Sequence, residues 1–124
     1  MVEARSLALA SLLAIAATAC ALRRDPPPGA SGATIYELQN CANCHGDSGE
    51  GTTRGPILAD LAAHWSREDL AEFLAAPSYW AERDARLAHL RASYSGAMSP
   101  YDNLTPDERL RLADHLLGVA TPVR

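Results

Sequence analysis

The stretch of sequence that decides the fold is Cys41-Ala42-Asn43-Cys44-His45. Residues three apart on one helical turn share a face, so both thiols can reach the same edge of a planar cofactor. His45 follows at once and can turn its imidazole towards a metal at the centre of that cofactor. This spacing is the attachment pattern for haem c, in which each thiol forms a thioether with one vinyl group. We therefore predict one haem c, bound covalently through Cys41 and Cys44, with His45 as an iron ligand.

Two other kinds of site could use the same residues. A disulfide or a thioredoxin-like redox pair would need a βαβ setting, and no stretch of the sequence has a convincing strand pattern. A zinc site would need His45 and a further histidine. However, Cys44 and His45 are adjacent, which does not suit a tetrahedral site, and the chain has no second cysteine pair. The pattern favours haem attachment over both.

The first residues of the chain predict an export signal. Residues 7–17 are almost wholly apolar, Arg5 precedes them, and Ala17 and Ala19 have the small-residue spacing of a cleavage site. The apolar run is shorter than the ~20 residues that span a bilayer. We predict a signal peptide over residues 1–19. An uncleaved anchor and an ordinary core helix are the alternatives.

Cys20 follows the predicted cleavage site directly, as the lipidated cysteine of a bacterial lipoprotein does. Lipidation would give a use to a thiol without a partner, because an odd cysteine is unusual in a secreted chain. We predict lipidation of Cys20; the same residues also suit ordinary signal peptidase cleavage. Residues 20–33, rich in proline and glycine, would form a tether, and residues 34–124 the haem domain. The protein would then lie in the periplasm or on the outer face of a bacterial membrane.

The charge of the chain bears on its partners. The formal net charge is −4 at pH 7, and the 11 basic residues are all arginine. An acidic chain does not suit nucleic acid as a partner, and a docking face ringed by lysine is excluded. We expect the partner to be a redox protein or a membrane oxidoreductase complex, and we expect no small-molecule substrate.

Helix signals run through the rest of the chain. Ser66 suits an N-cap, and Thr105, Pro106 and Glu108 form a capping box with proline at the first helical position. Gly118 is the predicted stop of the last helix. We predict an all-α fold with helices at residues 34–44, 66–75, 78–92 and 105–118, and loops at 46–55 and 94–103.

Several features together resemble a class I cytochrome c. They are CANCHG at residues 41–46, Gly55-Pro56-x-Leu58, a methionine before the last helix, and residues 104–118. The resemblance covers roughly residues 34–118. It implies about four helices wrapped around one covalently bound haem, with the first and last helices crossing. It also implies that the Pro56 carbonyl accepts the N–H of the His45 ring and that Leu58 helps to bury the haem.

The second iron ligand is predicted from its position. Met98 is the only methionine that remains after signal removal, and it lies in an irregular stretch just before the capped helix. Its surroundings, Gly96-Ala97-Met98-Ser99-Pro100, resemble the methionine loop of the same family. A core-filling methionine and His89 as the ligand are the alternatives.

A haem with histidine and methionine ligands has no axial site open to a substrate. We therefore predict an extracytoplasmic single-electron carrier rather than an enzyme. Two alternatives remain open. One is a subunit that relays electrons inside a larger membrane oxidoreductase, and the other is a haem protein that reacts with a small gas or peroxide.

Overall fold

The computed structural model describes residues 23–119, so Cys20, the predicted signal peptide and residues 120–124 lie outside the described part. Every regular element in that range is an α-helix and none is a strand, which confirms the all-α prediction. None of these helices combines the length and apolarity needed to cross a membrane. In chain order they are α1 Gly32–Leu38, α2 Ala42–His45, α3 Leu61–His64, α4 Arg67–Ala75, α5 Pro77–Ala81, α6 Ala85–Ser93 and α7 Pro106–Val119.

The described range has more helices than the four predicted, partly because a single residue divides the first predicted stretch. Within residues 34–44, Asn40 has a positive φ of 58°, a conformation that asparagine tolerates better than most residues. α1 therefore ends at Leu38, and α2 starts a new turn after Cys41. The prediction of one helix over residues 34–44 is wrong at this point.

The helix predicted over residues 78–92 is also divided into two. Pro77 occupies the first position of α5, where its missing N–H costs nothing. Asp84 then takes an extended conformation, and its carboxylate accepts hydrogen bonds from the backbone N–H groups of Arg86 and Leu87. This N-cap starts α6 afresh, so the prediction of one continuous helix is wrong here too.

The predicted caps of α4 and α7 are confirmed. The Ser66 hydroxyl accepts a hydrogen bond from the Asp69 N–H at 3.1 Å. At α7, the Thr105 hydroxyl accepts from the Glu108 N–H at 3.2 Å, and the Glu108 carboxylate accepts from the Thr105 N–H at 2.9 Å. Gly118 does not stop the last helix as predicted, because it lies within α7.

The core of the domain forms around α7, which contacts both α1 and α4. Ile35 of α1 meets Leu112 and Ala113 of α7 in this core, and all three have 0% exposure. The same buried cluster includes Cys41 and Leu58. The contact expected between the first and last helices is therefore present, and it places the attachment turn against the core.

Residues 23–31 lie against the helical domain. The Arg23 guanidinium donates a hydrogen bond to the Pro100 carbonyl at 2.8 Å, and Ala30 is buried. α1 begins at Gly32, so the predicted boundary between tether and domain, at residues 33 and 34, falls inside this helix. The described part of the predicted tether thus contacts the helices, and the predicted division into tether and domain stays a prediction.

Candidate haem site

The two attachment cysteines lie on one turn of helix. Cys41 is the N-cap of α2 and is buried, whereas Cys44 is half-buried. The N–H groups of Cys44 and His45 both donate to the Cys41 carbonyl, at 3.2 and 3.0 Å, which closes the turn. Both thiols are free, so each is available for one thioether bond.

The side chain of His45 is oriented by a backbone carbonyl. Its Nδ1 lies 2.8 Å from the Pro56 carbonyl oxygen, so a protonated Nδ1 donates a hydrogen bond there. This tautomer leaves the lone pair on Nε2, the form in which an imidazole binds a metal. Burial lowers the pKa of His45, and the hydrogen bond to Pro56 opposes the shift only in part, so the ring is neutral at neutral pH. The contact that the family resemblance implies is therefore present.

The segment that carries Pro56 is fastened to the end of α2. The Gly51 N–H donates to the His45 carbonyl at 2.8 Å. Gly55 lies directly on the attachment turn, because a Cβ at this position would stand 2.9 Å from the Cys44 carbonyl oxygen. These contacts satisfy a backbone carbonyl at the end of α2 and hold Pro56 opposite the imidazole.

A buried hydrogen bond fixes the residue that follows His45. The Tyr36 hydroxyl donates to the Gly46 carbonyl at 2.6 Å, and both residues are buried. Gly46 has a φ of 84°, in the left-handed region that residues with a side chain rarely adopt. Burial raises the pKa of Tyr36 to about 12, so its hydroxyl remains a donor. Tyr36 thus ties α1 to the loop that leaves the attachment turn.

The loop that carries Met98 starts beside the second cysteine. The Gly96 N–H donates to the Arg54 carbonyl at 3.2 Å, and a Cβ at Gly96 would lie 3.3 Å from the Cys44 sulfur. Met98 is half-buried and packs against the cluster that contains Cys41. The structure therefore brings the start of the methionine loop to the attachment turn, a proximity that no local sequence signal reveals.

Apolar side chains line the surroundings of this turn. Leu58 is buried, and its N–H donates to the Gly49 carbonyl at 2.9 Å. Leu74 belongs to the same buried cluster, and Trp65 and Phe73 pack against it with their ring centroids 5.0 Å apart. Leu58 therefore lies where an apolar wall is needed, and its contact with haem stays a prediction.

The other histidines are less favourably placed to bind the iron. His64 and His89 are exposed. The ring of His115 packs edge-on against Tyr36, with centroids 5.5 Å apart. This placement gives no support to His89 as the second ligand.

Arg23 and Tyr101 lie beside Cys41. Tyr101 is buried, and the Arg23 guanidinium lies 4.2 Å from the centroid of its ring. Burial raises the pKa of the Cys41 thiol to about 11, although the Tyr101 hydroxyl and Arg23 act in the opposite direction. Burial also raises the pKa of Tyr101. Sequence reasoning missed Arg23, because its partner Pro100 is 77 positions away.

The donor set fits covalently bound haem better than the two other kinds of site. Two free thiols on one turn precede an imidazole whose Nε2 is left unbonded by the Pro56 contact. A thioredoxin-like pair would need strands, and residues 23–119 contain none. Within the same range, no group of three or more His, Cys, Asp or Glu side chains is arranged to hold a metal ion, so zinc would lack its further ligands there.

The described part of the chain is helical and carries two free thiols on one turn. They are followed by an imidazole that a backbone carbonyl orients. Together these features define a covalent haem-binding protein. The sequence model of the family described as cytochrome c matches residues 29–120, and the chain belongs to this family. Its cofactor is haem c, bound through Cys41 and Cys44, and its function class is haem-based electron transfer. Comparisons with curated proteins and with solved structures found no significant match.

Proposed function

We propose that this protein is an extracytoplasmic single-electron carrier whose haem iron is bound by His45 and Met98. The observation that carries the proposal is the hydrogen bond of 2.8 Å between His45 Nδ1 and the Pro56 carbonyl. It sets the ring tautomer and orientation, so that Nε2 can bind the iron of a haem attached through the adjacent cysteines.

Two features support Met98 as the other ligand. Its loop begins at Gly96, next to the Cys44 sulfur, and Met98 itself packs against the buried cluster. The rival His89 is exposed on α6. A thioether is a neutral ligand that favours ferrous iron and raises the reduction potential.

The chain's own groups suit electron transfer without catalysis. The bound haem supplies the chemistry, which is the gain and loss of one electron at its iron. The buried, neutral imidazole of His45 and the neutral sulfur of Met98 stabilise the less charged ferrous state. With His45 and Met98 both bound to the iron, no iron position would be open for a substrate.

The proposed location outside the cytoplasm rests on the first residues of the chain. The apolar residues 7–17 and the small residues before Cys20 suit an exported lipoprotein. The partner would be a redox protein or a membrane oxidoreductase complex. The net charge of −4 favours a partner whose docking face is basic.

Replacement of Met98 by alanine tests the proposed ligation. We expect Met98→Ala to keep its covalent haem but to bind carbon monoxide readily in the reduced state, whereas the wild type binds it poorly. The midpoint potential should fall on the order of 0.1 V, within the ~0.8 V range that axial ligands span. Absorption spectroscopy and redox titration of purified, haem-loaded protein measure both effects.

His89→Ala is the matched control, because His89 is the rival ligand and its side chain is exposed. This variant should keep the wild-type spectrum and potential. If the wild type already binds carbon monoxide as fast as Met98→Ala, Met98 is not a firm ligand. The gas-binding or peroxide-reactive alternative would then replace the electron carrier.

A further inference from the structure

We infer that residues 23–25, here called the clasp, position Met98 by fastening the loop that carries it. This inference rests on the proposed ligand role of Met98. Arg23 is the positioning residue, and it acts on Met98 through the backbone of Pro100 and the ring of Tyr101. The clasp follows Cys20 closely in the chain, and it contacts the loop that carries the proposed ligand.

Arg23 contacts the methionine loop in two ways. Its guanidinium donates a hydrogen bond to the Pro100 carbonyl at 2.8 Å. The same group lies 4.2 Å from the centroid of the Tyr101 ring, within the distance of a cation–π interaction. Tyr101 is buried, so the ring offers a fixed surface. Arg23 therefore holds the loop two and three residues after Met98.

The clasp is itself anchored to α1. The Arg24 N–H donates to the Leu38 carbonyl at 3.3 Å, and the Gln39 side-chain amide donates to the Arg24 carbonyl at 2.8 Å. The side-chain amide of Asn103 lies 3.1 Å from the Gln39 side-chain oxygen and 3.3 Å from the Asp25 carboxylate. These bonds connect the end of α1, the clasp and Asn103, which follows the methionine loop. They therefore restrict the position of the backbone that carries Arg23.

The loop has few other hydrogen bonds between its two ends. The N–H groups of Gly96 and Tyr101 donate to carbonyls of neighbouring segments, which fixes the two ends. Between them, the stretch 97–100 has one hydrogen bond within the described part of the chain, and it is the bond that Arg23 donates to Pro100. A neutral thioether is a weak ligand, so its hold on iron depends on how firmly its loop is closed.

Arg23 also places a positive charge near Cys41, where it lowers the pKa of the thiol. Loss of that charge would change the reduction potential even if Met98 did not move. The potential alone therefore cannot separate positioning from charge. The readouts must report the iron–sulfur bond and the loop directly.

The test compares haem-loaded Arg23→Gln with the wild type. We expect the haem content to be unchanged. The weak long-wavelength absorption band of ferric haem, which marks methionine ligation, should disappear at a lower temperature than in the wild type. Carbon monoxide should bind the reduced variant about fivefold to tenfold faster, because a hydrogen bond and a cation–π contact are removed. Amide hydrogen exchange at Tyr101, whose N–H donates to the Leu74 carbonyl at 2.9 Å, should accelerate by a similar factor.

Two further variants make the comparison specific. Arg24→Gln changes the neighbouring arginine, whose exposed side chain makes no hydrogen bond or ion pair among the described residues, and it should behave as the wild type. Arg23→Lys keeps the charge but loses the planar fork of the guanidinium. It should retain most of the potential and still bind carbon monoxide faster than the wild type.

Distinct results would overturn the inference. If Arg23→Gln shows wild-type hydrogen exchange and carbon monoxide binding, the clasp does not position Met98, and the proposed ligation still stands. If Arg23→Lys keeps every wild-type property, the planar guanidinium is not needed to hold the loop, and the inference as stated fails. If the wild type lacks the methionine band, the proposed ligation fails first and this inference fails with it.

Discussion

Glycine at positions 55 and 96 lets two loops approach Cys44 more closely than a residue with a side chain would allow. A Cβ at Gly55 would stand 2.9 Å from the Cys44 carbonyl oxygen, and one at Gly96 would stand 2.5 Å from the Arg54 carbonyl oxygen. The first approach holds Pro56 against the imidazole, and the second starts the methionine loop. Both glycines therefore act on the site through the backbone.

Tyr36→Phe tests the hydrogen bond that fixes the residue after His45. The change leaves the buried Gly46 carbonyl without its donor at 2.6 Å, which should lower the free energy of unfolding by about 1–3 kcal/mol. Urea unfolding of the haem-loaded protein measures the loss. Tyr94→Phe is the control, because Tyr94 is half-buried with no hydrogen bond from its hydroxyl among the described residues. Equal stability of the two variants would show that the bond to Gly46 contributes little.

At the scale of helices, the packing of α1 on α7 closes the domain. Gly32 lies at the start of α1, where a Cβ would collide with the Arg111 carbonyl and stand 2.5 Å from the Cβ of His115. Gly118 lies within α7, and a Cβ there would meet nothing within 4 Å. Gly32 therefore has no room for a side chain, whereas Gly118 has open space around it.

The paired substitutions Gly32→Ala and Gly118→Ala should change stability in opposite directions. Gly32→Ala should cost about 1–3 kcal/mol, because the backbone of α7 must move to admit the methyl group. Gly118→Ala should gain about 0.5–1 kcal/mol, since alanine restricts the unfolded chain and favours helix. Thermal unfolding of the two haem-loaded variants gives the comparison. A neutral Gly32→Ala would mean that the two helices do not pack as closely as described.

At the scale of the whole molecule, the contacts of residues 23–31 bring the domain close to the predicted lipid. Cys20 precedes Arg23 by three residues, which reach about 10 Å when fully extended. A flexible tether over residues 20–33 would allow the domain to lie further from the lipid. If Cys20 is lipidated, the face that holds Pro100 and Tyr101 therefore lies near the membrane surface.

Cys20→Ala tests the anchor. We expect the wild type in the membrane fraction and Cys20→Ala in the soluble fraction with its haem still attached, because buried acyl chains stabilise membrane binding by ~0.8 kcal/mol per CH₂ group. Cell fractionation and the intact mass of the mature chain measure the two effects. Mature wild-type protein with an unmodified Cys20 at its N-terminus would contradict lipidation and leave the haem protein intact.

Local sequence was sufficient to predict the attachment turn and the helix caps. Cys41, Cys44 and His45 lie within one turn, and the hydrogen bonds between Thr105 and Glu108 span three residues. Interactions of this range depend on residue type and spacing alone, which a sequence states directly. Even so, the divided helices at Asn40 and Asp84 were missed, because the positive φ of Asn40 and the side-chain cap of Asp84 override a continuous apolar pattern.

The remaining features depend on residues far apart in the chain, which only the folded structure brings together. Arg23 meets Pro100 across 77 positions, and Gly96 reaches Cys44 only because its segment packs against Arg54. Neither pair carries a spacing or a pattern, since any exposed arginine or loop glycine looks the same in sequence. Their partners follow from the packing of α1 and α4 on α7, where burial of apolar area rather than local preference sets the geometry.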